Sequence, residues 1–101
     1  MKSNYKLGCD PECFLFLDDQ PISAHDVLPG SKKEPYRVSR GYVQPDGLAA
    51  EFNIDPVDNP QDWLNNIDDV FYDMKGIIRR KNKDIVIKFT PYVEFDIDYF
   101  N

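Results

Sequence analysis

Three short stretches of this chain, Gly8-Cys9-Asp10-Pro11-Glu12, Ala24-His25-Asp26-Val27-Leu28-Pro29-Gly30-Ser31-Lys32-Lys33 and Val43-Gln44-Pro45-Asp46-Gly47-Leu48-Ala49-Ala50-Glu51-Phe52-Asn53, gather side chains that can act together. Asp10, Glu12, Glu51 and Asn53 offer oxygen donors of the kind that hold Mg²⁺, a hard cation. Glu12 and Glu51 form the sharpest pair, because each falls in or beside a strand with a polar face. His25 next to Asp26 is a candidate oriented imidazole. Gly30-Ser31-Lys32-Lys33 could contact a phosphate, although the spacing of a P-loop is absent. Each of these has a plainer alternative. Acidic side chains are often solvated surface, a lone histidine is often structural, and Glu51 could be fixed by a salt bridge to a loop lysine.

The elements that would carry these residues can be read from periodicity. Leu48, Ala50, Phe52 and Ile54 share one face of a strand, while Ala49, Glu51 and Asn53 share the other. Tyr5–Leu7 and Cys13–Leu17 are apolar runs separated by Asp10-Pro11, where a kink or bulge is expected. Asp18-Asp19-Gln20-Pro21 reads as a hairpin turn, and residues 29 to 41 as a long loop without periodicity.

Asn59-Pro60-Gln61-Asp62 starts a helix, with Asn59 as cap, Pro60 in the first turn and an acid where the dipole favours one. Its apolar stripe comprises Trp63, Leu64, Ile67, Val70, Phe71, Met74, Ile77 and Ile78, and reads as core. Asp62, Asp68, Asp69 and Asp73 fall between, and Arg79-Arg80-Lys81 closes the end. Two alternating runs follow, Ile85 to Thr90 and Val93 to Asp98. The expectation is a single α+β domain spanning 1–101: a small antiparallel sheet of four or five strands with one long helix packed on one face.

Composition bounds the partners. A formal charge of −6 argues against direct nucleic-acid binding, which needs a basic face. An acidic chain can still meet a basic protein. Cys9 and Cys13 lie four apart in an extended segment, which disfavours a disulfide, and with one histidine in the chain they lack partners for structural zinc. They read as reduced thiols. No apolar run reaches membrane-spanning length and Met1–Lys6 leads into no signal-peptide core, so the chain reads as soluble and cytoplasmic.

Taken in order, Gly8–Glu12, Ala24–Lys32, Gln44-Pro45-Asp46-Gly47 and Glu51-Phe52-Asn53-Ile54 resemble the N-terminal part of the phage-encoded amidoligase-like proteins, carboxylate–amine ligases related in fold to glutamine synthetase and glutamate–cysteine ligase. The resemblance covers residues 5 to 58 and implies ATP-dependent amide formation through an acyl phosphate. It implies Asp10, Glu12 and Glu51 as metal ligands for Mg²⁺ with ATP, His25 and Lys32 as contacts to phosphate or carboxylate, and Gln44 and Asn53 as substrate-orienting groups. Family members continue well beyond the position matching Asn101.

Two functions follow as expectations. The first is a shortened, non-catalytic phage protein without cofactors that inhibits host machinery inside the infected bacterium. Glu94, Asp96 and Asp98 on one strand face, joined by Asp69 and Asp73, would imitate phosphates toward a basic host protein such as a CRISPR effector or another nucleic-acid-guided defence complex. The same strand acids can also serve only to discourage edge pairing. The second is an ATP- and Mg-dependent ligase, or its substrate-binding half.

Overall fold

Alternating strands and one amphipathic stripe leave a single economical arrangement, in which the apolar strand faces and the helix stripe bury one another. The computed structural model describes residues 7–8 and 11–89 and has this α+β architecture. Strands β1 (Glu12–Leu17), β2 (Gln20–Ile22), β3 (Tyr36–Arg37), β4 (Gly41–Asp46), β5 (Ala49–Ile54) and β6 (Val86–Phe89) form one antiparallel sheet, and helix α1 (Pro60–Lys81) packs on it. The path β2-β1-β5-β4-β3 holds five strands, with β6 added along β1. One edge of β1 is shared: Glu12 and Cys13 pair with β5, and Leu15 to Leu17 pair with β2. β6 runs along the other edge, from Cys13 to Phe16.

Turn chemistry sets this pairing. Asp18 and Asp19 both take positive φ (52° and 64°), the conformation of a type I′ turn, and join β1 to β2. Between β4 and β5 the chain turns at Gly47 (φ 60°) and Leu48, with glycine at the first central position as a type II′ turn requires. Leu48 therefore belongs to the turn, half-exposed, and the strand begins at Ala49.

The helix starts where expected. Asn59 accepts from the Asp62 backbone N–H at 2.8 Å, and its Nδ2 donates to the Asp62 carboxylate at 2.7 Å. Val70, Met74 and Ile78 are fully buried against Val43, Phe52 and Ile54, flanked by the partly buried Trp63, Ile67, Phe71 and Ile77. Leu64 departs from the expected stripe: it is 51% exposed, at the margin of the apolar arc. Phe52, Phe71 and Phe89 form an aromatic cluster with centroids 5.0 to 6.4 Å apart, which ties β5, α1 and β6 together.

The segment expected as an unbroken loop contains β3. Tyr36 and Arg37 pair with Val43 and Tyr42, a contact between distant residues that local periodicity does not encode. Arg37 then clamps the far end of β5, with its guanidinium on Asp55 at 2.5 and 2.6 Å and over the Tyr42 ring at 5.0 Å. Pro45 is tolerated in β4 because β3 pairs only as far as Val43, so no neighbour strand needs its missing N–H. Cys13 is buried in the core and its thiol is pushed up to about 12 by desolvation, which makes it inert. Cys9 and the run Val93 to Asp98 lie outside the described residues.

Replacing Phe52 with Ala should cost about 3–5 kcal/mol and Asn59 with Ala about 1 kcal/mol in urea denaturation. A Phe52→Ala loss below about 1 kcal/mol would show that the aromatic cluster is not what holds α1 to the sheet.

Candidate metal centre

Successive residues of a strand point to opposite faces, so the buried set fixes where the others go. Cys13, Val43, Ala50 and Phe52 face α1. Glu12, Gln44 and Glu51 must then emerge from the opposite face, and pairing aligns them: Glu12 lies across from Glu51 on β1, and Gln44 across from Glu51 on β4. Asp46, two residues past Gln44, shares that face two pairs along, opposite Ala49. One carboxylate oxygen each from Glu12, Asp46 and Glu51 lies within 4.8 Å of the others.

A fourth side chain touches the cluster through Glu51. Gln44 is only 4% exposed, and its Nε2 donates to Glu51 Oε1 at 3.1 Å. The amide oxygen beside it is buried and accepts no hydrogen bond from the described residues. An orphaned buried acceptor costs about 1–3 kcal/mol unless something supplies a positive charge or a proton. The carboxylates add to the strain, since like charges directly opposite one another across strands are destabilising.

The electrostatics follow from this crowding. Burial first, then the Asp46 hydrogen bond and charge, then Glu12, push the Glu51 carboxyl up to about 7. Asp46 is held below the usual carboxylate range, chiefly by the hydrogen bond from Lys32. Lys32 Nζ stands 2.9 Å from Asp46 Oδ1, and that bond in turn raises the lysine. A loop lysine does reach the cluster, then, but it engages Asp46 and leaves Glu12 and Glu51 without a cationic partner among the described residues.

The residues expected from the sequence are distributed unevenly. Glu12, Glu51, Gln44 and Lys32 converge on one point. Asn53 shares their face of β5, two residues beyond Glu51 and opposite Tyr42. His25 is exposed on the single 3-10 turn Ala24–Asp26, with no hydrogen bond or ion pair from its ring to the carboxylates among the described residues. Asp10, Glu94, Asp96 and Asp98 lie outside the described residues. Asp69 faces Arg40 at 3.8 Å, and Asp73 accepts from the Ser39 backbone N–H at 3.0 Å and from its hydroxyl, so both helix acids have partners within the chain.

Asp46 is the member of the cluster that sequence spacing does not single out. Its position two residues from Gln44 would have placed it on the shared face had Gly41–Asp46 been recognised as a strand. Pro45 obscured that alternation.

Stability should carry the mark of Glu51. Its native pKa of about 7 lies above the ordinary glutamate value of 4.5, so between these pH values the folded chain holds a proton that the unfolded chain has released. The stabilisation is complete below pH 4.5 and is lost as pH rises through about 7. In urea melts the wild type should weaken from pH 5 to pH 8 relative to Glu51→Gln, and Mg²⁺ should restore part of the loss at pH 8. Parallel profiles for the two proteins would refute the shifted carboxyl.

Compared with family models, curated proteins and solved structures, the chain matches none.

Proposed function

We propose that this chain carries a divalent-cation site and serves as the metal- and substrate-holding part of an ATP-dependent carboxylate–amine ligase of the amidoligase kind. The observation that supports this most is the convergence of Glu12, Asp46 and Glu51 from three adjacent strands, with the Gln44 amide N–H donating to the Glu51 carboxylate. A sheet selected for stability alone would not stack like charges beside an orphaned acceptor.

The donor set fits Mg²⁺: it is three carboxylates, all oxygen, with no thiolate or imidazole. Glu12, Asp46 and Glu51 would hold the ion, and Gln44, buried at 4% exposure, would fix the Glu51 carboxylate through its amide. Bound there, a magnesium ion would neutralise triphosphate charge and orient the phosphoryl group being transferred. Lys32, 67% exposed on its loop, can turn from Asp46 toward an incoming phosphate oxygen without any change in the sheet. Asn53, farther along β5, offers an amide to orient the substrate carboxylate.

The acidic-inhibitor reading has less support. Asp69 and Asp73, which it enlists from the helix, are occupied by Arg40 and Ser39, and its remaining acids lie outside the described residues.

Titration of Mn²⁺ or Mg²⁺ by calorimetry should show a single site, weakened about tenfold or more by Glu12→Gln or Glu51→Gln, a difference of about 1.4 kcal/mol or greater. Asp84→Asn, a surface control, should bind as the wild type does. A flat titration of the wild type at millimolar metal would end this reading.

A further inference from the structure

The C-terminal half of α1 and the edge strand β3 flank an open hollow of about 620 Å³, lined by none of the three carboxylates. That volume lies within the range of small-molecule sites, roughly 300–1,000 Å³. Its walls are unlike the rest of this acidic chain. Tyr72 is 74% exposed and Tyr36 48%, two large rings left to solvent at its rim. Arg79 and Arg80 border it from the last turns of the helix, with no ion pair among the described residues, and Lys75 rests over the Phe71 ring at 4.9 Å. The single acid in the lining, Asp73, is spent on Ser39, where it pins the segment after β3 to the helix.

Gly76 is the telling residue. Glycine inside a helix costs about 1 kcal/mol relative to alanine. Crowding does not require it, because a Cβ there would meet only the Arg80 guanidinium, at 3.5 Å, an ordinary contact. What the missing side chain does is deepen the hollow between Tyr72 and Arg80. Arginine at a helix C-terminus is explained by the dipole alone. The dipole explains neither the glycine nor the exposed rings.

We propose that this hollow binds a nucleoside phosphate, with the base against the tyrosine rings and the phosphate on Arg79 and Arg80. Flat aromatic faces accept any base by stacking, and guanidinium forks match phosphate oxygens. A compact ligand is favoured over a nucleic acid strand because the chain as a whole carries −6, which repels a long polyanion beyond the local patch. The site is independent of the metal centre and does not rest on the ligase reading.

The test is calorimetric titration of the whole chain with AMP, ADP and ATP in EDTA at low ionic strength. Binding should weaken about tenfold or more in Gly76→Leu, which fills the hollow, and in the double variant Arg79→Ala/Arg80→Ala. Gly76→Leu should melt no lower than the wild type, since it replaces glycine inside a helix; the exposed arginine pair provides the second readout if it does not fold. Glu51→Gln should bind as the wild type does. Adenosine and inorganic triphosphate should each bind at least about tenfold more weakly than ATP, because each satisfies half of the site. No nucleotide binding at millimolar concentration, loss of binding in Glu51→Gln but not in Gly76→Leu, triphosphate binding equal to ATP, or preference for oligo(dT) over mononucleotides would each overturn the proposal.

Discussion

The register between β4 and β5 is the constraint on which the carboxylate cluster depends. Side chains alternate with period two, so a slip of one residue would send Gln44 and Asp46 into the core and Val43 and Pro45 to solvent. Two things prevent the slip. Gly47 allows the tight turn that pairs Asp46 with Ala49, and burial of Val43 and Phe52 against α1 rewards only that phase. The carboxylates themselves contribute nothing favourable to the pairing. They are carried into proximity by the apolar face on the other side of the same strands.

This division explains how the sheet tolerates a cluster that costs it stability. Phe52, Leu15, Met74 and Ile78 are buried completely, at roughly 1.5–3 kcal/mol for each large apolar side chain. Against such a core, one raised carboxyl and one orphaned amide oxygen can be borne. Lys32 relieves part of the repulsion through Asp46, from a loop that can withdraw without disturbing the strands.

Helix α1 does a different task on the other face. Its N-terminal half is tied down by Asn59, by the Trp63 indole donating to the Gly8 carbonyl at 2.9 Å, and by the buried Asn66 donating to the Asp55 carbonyl at 3.2 Å. Toward its C-terminus Met74 and Ile78 stay buried, and the exposed Arg79 and Arg80 of the last turns border the hollow beside β3. The acidic and basic regions are thus kept on separate faces by the sheet between them, which prevents them from neutralising each other.

The α+β class, the capped helix, the hairpin at Asp18-Asp19 and the two faces of β5 were legible because each is written in local spacing or turn chemistry. Glu12, Glu51, Gln44 and Lys32 could be singled out as residue types in a suggestive order. Other features needed the folded chain. β3 exists only because Tyr36 and Arg37 meet β4, and Asp46 joins the site only because β4 is a strand despite Pro45. Leu64, at the margin of the helix's apolar arc, is left half-exposed. The sequence by itself determined which faces would be apolar and where the chain could turn, since these depend on neighbours within a few residues. Which carboxylates meet, and which amide oxygen is buried without a partner, was decided only by tertiary structure, because those distances are set by pairing between strands far apart along the chain.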